Sequence, residues 1–293
     1  MIKRVAFIGL GVMGRDMALN LGKAGFAVLA YDSRPEALAG LGENVRPARS
    51  VAEAAREADA VVTMLPDTPQ VRDVLTGPGG VAENPPPGRL VIDMSTISPK
   101  ATQEMAAALG ERGIEMLDAP VSGGPKGARE AALSIMVGGP EGAFDRARPV
   151  LEAMGRTIVR VGDSGAGQTV KLCNQLVCAI NLEAVCEAIA LGRAAGLDLG
   201  KLREVLLGGA ASSWMLQNLG PQILAKDPSA GFRIDLKLKD LRLVGEMAFE
   251  LGVPLPGTAL ATSLLLEARA HGEGAHGNQA LYRVYDRLTN QGE

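Results

Sequence analysis

The chain reads as two halves with different periodicity. Up to about residue 163, short apolar runs recur, many of them β-branched: 4–9 (RVAFIG), 27–32 (AVLAYD), 60–65 (AVVTML), 90–94, 114–118, 133–139 and 157–162. They are apolar nearly throughout, as strands covered on both faces of a sheet are. Between several of them, apolar residues recur three and four apart, which predicts helices at 12–24, 34–42, 50–57, 98–109 and 141–154. Strand and helix in alternation predict βαβ units and a parallel sheet. From about residue 165 the strand pattern stops. Residues 166–195 predict one helix of about 45 Å. Helices at 198–208, 212–225, 234–250, 256–271 and 278–289 follow, separated by Gly and Pro. The expected fold is α/β: a doubly wound parallel sheet in residues 1–163, then an all-helical domain in 164–293 that begins with the long helix.

Composition narrows the function. A length of 293 residues suits two domains. Net charge is −3, so no basic surplus exists to neutralise phosphates, which argues against nucleic acid as a partner. No apolar run is expected to reach the roughly 18 residues of a membrane span. The N-terminus is basic and then apolar, but it breaks into glycines without a cleavage site, so a cytoplasmic location is expected. Cys173, Cys178 and Cys186 are odd in number and form no CxxC, which fits a reducing compartment. His271 and His276 have only Glu273 nearby as a further ligand type, so no metal site is expected.

The first chemical motif is G-x-G-x-x-G: Gly9, Leu10, Gly11, Val12, Met13, Gly14. It leaves a strand and opens a helix. That context suits a dinucleotide: a tight turn, close approach to the pyrophosphate, close helix packing, and free first-turn amides for the anion. Asp32 and Ser33 end the second strand, with Asp32 eighteen residues after Gly14. A carboxylate there can hold an adenine-ribose hydroxyl and would repel a 2′-phosphate, favouring NAD. Arg34 could hold that phosphate, so NADP stays possible. Leu65-Pro66 and Ser95-Thr96 follow the next two strands, on the edge where open sheets bind ligands.

A second group carries the chemistry. Ser122, Gly123 and Gly124 offer a hydroxyl and unobstructed amides, a nest for a carboxylate, with a flexible connection as the alternative. In GAGQTVKLCNQ (165–175), Lys171 and Asn174 share one helix face, and Gly167 one turn earlier would leave room for a bulky group. Lys171 stands in an apolar segment. Burial there would make its amine a usable proton donor and acceptor, and Asn174 could bond the substrate's oxygens. Lys239 could reach the cofactor, with Asp240 orienting it. The alternative, which residue chemistry alone prefers, is a solvated face with Lys237, Lys239 and Arg242 in water.

FIGLGVMG (7–14), DAPVSGG (118–124), GAGQTVKLCNQ (165–175) and LKLKDL (236–241), in that order, resemble the β-hydroxyacid dehydrogenase family, and the likeness runs almost end to end. The resemblance implies a Rossmann domain and a helical domain like that of 6-phosphogluconate dehydrogenase, with the active site between them. It implies Lys171 as catalytic acid/base and Asn174 as substrate-positioning group. It gives Ser122, Gly123 and Gly124 the substrate carboxylate, and Thr96 and Lys239 the cofactor. It also implies a homodimer or homotetramer. The activity expected is interconversion of a 3-hydroxy carboxylate and its semialdehyde by hydride transfer with NAD or NADP. The family includes 3-hydroxyisobutyrate dehydrogenases and reductases of tartronate and succinic semialdehydes, and GFRIDL (231–236) resembles the tartronate type. Related imine reductases lack the lysine at the Lys171 position, which argues against that activity. A non-catalytic nucleotide-binding protein on this fold is disfavoured because Lys171 and Asn174 are both retained.

Overall fold

A computed structural model describes residues 1–289. The chain divides into two compact units, Met1–Lys171 and the part from Leu172 onward.

In the first unit, nine strands form one sheet among the described residues: β1 (Arg4–Ile8), β2 (Ala27–Tyr31), β3 (Val45–Pro47), β4 (Ala60–Thr63), β5 (Leu90–Asp93), β6 (Glu115–Asp118), β7 (Val121–Ser122), β8 (Leu133–Gly138) and β9 (Gly155–Gly162). Their order is β3-β2-β1-β4-β5-β6-β8-β7, with β9 on β8. Strands β1 to β6 run parallel. β8 is antiparallel to β6 and β7 and parallel to β9, so the sheet is mixed where a fully parallel one was expected. Alternate residues feed opposite faces, which is why the strand sequences are apolar on both sides. Val5, Phe7, Val62 and Ile92 join one core, while Ala6, Ile8, Val61 and Val91 join the other.

The helices of this unit are α1 (Gly14–Lys23), α2 (Val51–Glu57), α3 (Thr68–Thr76), α4 (Pro99–Gly110), α5 (Gly124–Arg129) and α6 (Glu141–Glu152), and α7 (Ala166–Ala194) begins in it. Two differences from the sequence reading matter. Residues 34–42 form only a short 3-10 turn, Pro35–Leu38, because Gly40, in the left-handed region, and Gly42 end the segment after one turn. α3 and α5 were not expected. α3 starts where the Asp67 carboxylate accepts the Thr68 amide at 2.7 Å, with Pro69 in its first turn, a start signal present in the sequence.

The second unit is helical: α8 (Leu199–Gly208), α9 (Trp214–Asn218), α10 (Gly220–Leu224), α11 (Ile234–Leu251), α12 (Pro256–Ala270) and α13 (Tyr282–Leu288). The segment expected as one helix over 212–225 is broken at Leu219-Gly220. Its core gathers Leu182, Ile189, Leu216, Ile234, Leu241, Leu265 and Val284. α7 overturns one expectation. It contains an 18-residue window of mean hydropathy 1.5, long and apolar enough to cross a membrane. Half of that window is buried inside the protein, and a long apolar helix is what a core demands as much as a bilayer does.

Candidate active site

The glycine loop joins β1 to α1. Gly9 has φ +101°, and a Cβ there would collide with the Met64 carbonyl oxygen. A Cβ on Gly14 would strike the Gly9 carbonyl oxygen. Gly11 differs: nothing lies within 4 Å of its Cβ position. Two of the three glycines therefore serve the turn and the helix packing. The third keeps an open approach to the first-turn amides of α1, which have no acceptors within the helix. Beside the loop is a cleft of about 280 Å³, lined among others by Gly11, Val12, Arg15, Arg34 and Glu36. Open backbone, helix N-terminus and adjacent cleft fit a dinucleotide.

Asp32 stands at the end of β2 and ties this region together. Its Oδ2 accepts the Leu10 amide at 2.8 Å, and its Oδ1 accepts the Arg34 amide at 2.9 Å and the Arg34 guanidinium at 3.1 Å. Partial burial opposes its charge. The Arg34 contacts and the Leu10 amide outweigh that and hold its carboxyl below the usual range. Arg34 is more than half exposed, and Ser33 is exposed beside it. Arg15 reaches across to the Ala37, Ala39 and Gly40 carbonyls and fixes the far wall of the cleft.

The next two strand ends are linked to each other. The Leu65 amide, before Pro66, donates to the Ser95 hydroxyl at 2.9 Å. Ser95 and Ile97 are buried, and Thr96 between them is half-buried.

Ser122 ends β7, and Gly123 and Gly124 follow with φ +132° and +62°, conformations that side chains other than glycine resist. The loop forms a glycine-dependent turn that leads into α5. Lys171 lies against it. Its side chain is 7% exposed, and its Nζ donates to the Val121 carbonyl, next to Ser122, at 2.6 Å. The first unit therefore brings the expected proton-transfer amine to the expected carboxylate nest, although the two are far apart in sequence.

Contrary to the sequence expectation, Gly167 does not leave room for a ligand. A Cβ there would collide with the Met136 and Asp118 carbonyl oxygens, so the glycine lets α7 pack onto β6 and β8. What holds that helix start was not foreseen. The Asp118 carboxylate, buried at the end of β6, accepts the Gly165 amide at 2.8 Å and the Gln168 amide at 2.9 Å. Gln168 is fully buried. Its Oε1 accepts the Ile97 amide at 3.1 Å, and its Nε2 donates to the Ser95 carbonyl at 2.8 Å. Asp93, in register beside Asp118, is also buried: Oδ1 accepts the Thr63 hydroxyl at 2.7 Å, while Oδ2 has no partner. Burial pushes its carboxyl up to about 6. A sequence signal for these groups existed: acids closing apolar strands, and a glutamine one turn before Lys171.

In the second unit, Asn174 is half-buried, and its amide donates to Gln175 at 3.4 Å. Gln175 in turn bonds Asp240, and Asp240 pairs with Lys239 at 2.8 Å. Asp240 is buried and Lys239 half-buried, so the pair stands largely out of water. The solvated-face alternative fails for two of its three cations. Lys237 is also fully buried, its Nζ 5.4 Å from the Phe232 ring centre, and burial pushes its amine below the ordinary lysine range. Only Arg242 is exposed. Trp214 is half-exposed and Met215 buried. Among the described residues no group of three or more His, Cys, Asp or Glu side chains could hold a metal ion. His271 lies 3.3 Å from Glu267 on the surface of α12.

Comparison with known proteins adds independent findings. The family described as the NAD-binding domain of 6-phosphogluconate dehydrogenase matches residues 4–162. The family described as the NAD-binding domain of NADP-dependent 3-hydroxyisobutyrate dehydrogenase matches residues 165–285. The chain is 42% identical over 290 residues to the 2-hydroxy-3-oxopropionate reductase of Escherichia coli, covering 98% of each. It is 40% identical to the 3-hydroxyisobutyrate dehydrogenase of Pseudomonas aeruginosa, covering 96% of this chain and 99% of that protein. Among solved structures, the Mycobacterium tuberculosis 3-hydroxyisobutyrate dehydrogenase with L-serine superposes with a TM-score of 0.88 at 37% identity, covering 97% of this chain and 99% of that one.

Proposed function

The chain belongs to the β-hydroxyacid dehydrogenase family, oxidoreductases that interconvert a 3-hydroxy carboxylate and its semialdehyde with a nicotinamide cofactor, and we propose that Lys171 is its catalytic acid/base. One observation carries this: a buried amine 2.6 Å from the carbonyl of Val121, directly before the Ser122-Gly123-Gly124 turn. The substrate carboxylate docks on that turn, received by the Ser122 hydroxyl and glycine amides. Anchoring the carboxylate fixes the distance from the amine to the reacting oxygen, so positioning supplies much of the rate. In oxidation, neutral Lys171 takes the hydroxyl proton from the carbon that gives up hydride. In reduction, its ammonium returns the proton. A bound nicotinamide supplies the hydride acceptor or donor. Asn174 positions the substrate's oxygens. Lys239, oriented by Asp240, binds the cofactor, as do Gly9 to Gly14, Leu65, Pro66 and Thr96.

For the cofactor, NAD is the better fit. A 2′-phosphate beside Asp32 would meet a carboxylate already ionised and bonded, and Arg34 is engaged by that same carboxylate. NADP use through Arg34 requires the guanidinium to leave Asp32. The protein is proposed to work in the cytoplasm as a homodimer or homotetramer.

The substrate is proposed to be 3-hydroxyisobutyrate or a close 3-hydroxy acid. A second reading, 2-hydroxy-3-oxopropionate, is favoured by GFRIDL (231–236) and by the 42% identity to a reductase of that compound. The test is a panel of 3-hydroxy acids and semialdehydes assayed with both cofactors. Turnover with NAD or NADH well above that with the phosphorylated forms is expected for at least one member of the panel. Substrates lacking the carboxylate should be turned over poorly. Equal turnover of the corresponding carboxylate-free alcohols would overturn the anchoring role of Ser122 to Gly124.

A further inference from the structure

Gln168 occupies an unusual position for a polar side chain. It lies in the first turn of α7, fully buried, and both ends of its amide are used. The Ile97 amide donates to Oε1 at 3.1 Å, and Nε2 donates to the Ser95 carbonyl at 2.8 Å. The two bonds bracket Thr96, the residue between. The Ser95 hydroxyl accepts the Leu65 amide, so the loop after β4 is tied into the same arrangement. The main chain of Gln168 is fixed separately, by donation to Asp118. Lys171 follows three residues later, one turn along the same helix face.

From this geometry we infer that Gln168 is a positioning residue: it clamps the backbone on both sides of Thr96 and thereby sets where the Lys171 amine stands relative to the cofactor loops. The inference rests on the proposed roles of Lys171 and Thr96. A reacting distance is sensitive to small shifts, and about 1 Å of misplacement costs on the order of 100-fold in rate. A hydrophobic side chain of similar length would fill the space but release both loops. A protonated glutamate would keep the clamp, its carbonyl accepting from Ile97 and its hydroxyl donating to Ser95. An ionised glutamate would place negative charge against the Ser95 carbonyl and open it. Asp118 and Asp93 are the acids of this network, and Lys171 is its amine. All three remain in both Gln168 variants, so the unsubstituted protein gives their background titration.

The experiment uses Gln168→Met and Gln168→Glu in the full chain, with Lys171→Ala measured alongside. Gln168→Met is expected to lower kcat roughly 10- to 100-fold. KM for the hydroxy acid and Kd for NADH, read by fluorescence titration, should stay within about threefold of the parent. Amide exchange at Ile97 and in residues 165–169 should quicken in the cofactor-free protein. Gln168→Glu is expected to approach parental kcat at low pH and lose it as pH rises, a limb absent from the parent profile, at temperatures where circular dichroism shows both folded. Should Gln168→Met fail to fold, that pH limb decides. Parental kcat in Gln168→Met, or a Gln168→Glu profile parallel to the parent's, overturns the inference. If Lys171→Ala is inactive in that case, the acid/base assignment still stands. An active Lys171→Ala overturns that assignment, and the inference with it.

Discussion

Two helices in the first unit begin the same way, with G-x-G after a strand, and their beginnings do opposite things. At 9–14 the motif leaves Gly11 open, with nothing within 4 Å of its Cβ position, and no carboxylate of the fold caps the start of α1 as Asp118 caps α7 among the described residues. At 165–167 the glycines are packed against backbone, and the first-turn amides of α7 are already taken by the Asp118 carboxylate. An internal acid has replaced the ligand. The difference teaches that a glycine pair before a helix marks an exposed set of amides, while the residue that meets them comes from elsewhere in the fold. Where a buried carboxylate is supplied, the helix start becomes rigid scaffold. Here that scaffold holds Lys171.

Substitutions can break this contrast in order of size. Gly167→Ala drives a methyl into the Met136 and Asp118 carbonyls and should cost ~4 kcal/mol, seen as a large fall in Tm or loss of folded protein. Asp118→Ala leaves the Gly165 and Gln168 amides buried without acceptors. It should cost about 3 kcal/mol in urea unfolding, with α7 exchanging first. Asp93 sharpens the comparison, because it lies in register with Asp118 but receives no helix amides. Its carboxyl titrates at about 6 in the folded protein against 3.8 as a free group. As pH rises from about 4, the unfolded chain therefore loses this proton before the folded one does. Stability drains until about pH 6 and is level above. Asp93→Asn should abolish that slope and raise stability at pH 7 by roughly 3 kcal/mol, measured as the difference between pH–Tm curves. A steeper slope in the variant would contradict the assignment. Gly11→Ala should change stability by less than about 0.5 kcal/mol and weaken NADH binding instead.

Much of this was legible in the sequence, for a physical reason. Strands covered on both faces must be apolar throughout, so β1, β2, β4, β5 and β6 announce themselves. α7 does the same through its long, mostly apolar helical pattern. The glycine loop is legible because its residues act within one turn. The clamp at Thr96 was not, because Gln168, Ser95 and Asp118 meet only through pairing of β5 with β6 and packing of α7 onto that edge. Gly167 was misread for the same reason: its open side is closed by β6 and β8, which local spacing does not reveal. On α11, the amphipathic pattern suggested three solvated cations. The packing of unit two buries Lys237 and half-buries Lys239, which a one-dimensional pattern cannot distinguish from a wet face.

The central claim is that the buried amine at position 171 carries the proton. Lys171→Ala, with kcat followed by absorbance at saturating hydroxy acid and cofactor, tests it most directly. The result expected is a fall of about 10²- to 10⁴-fold with NADH affinity unchanged and partial recovery on adding small primary amines. Turnover within a few-fold of the parent, with no response to added amine, would contradict it.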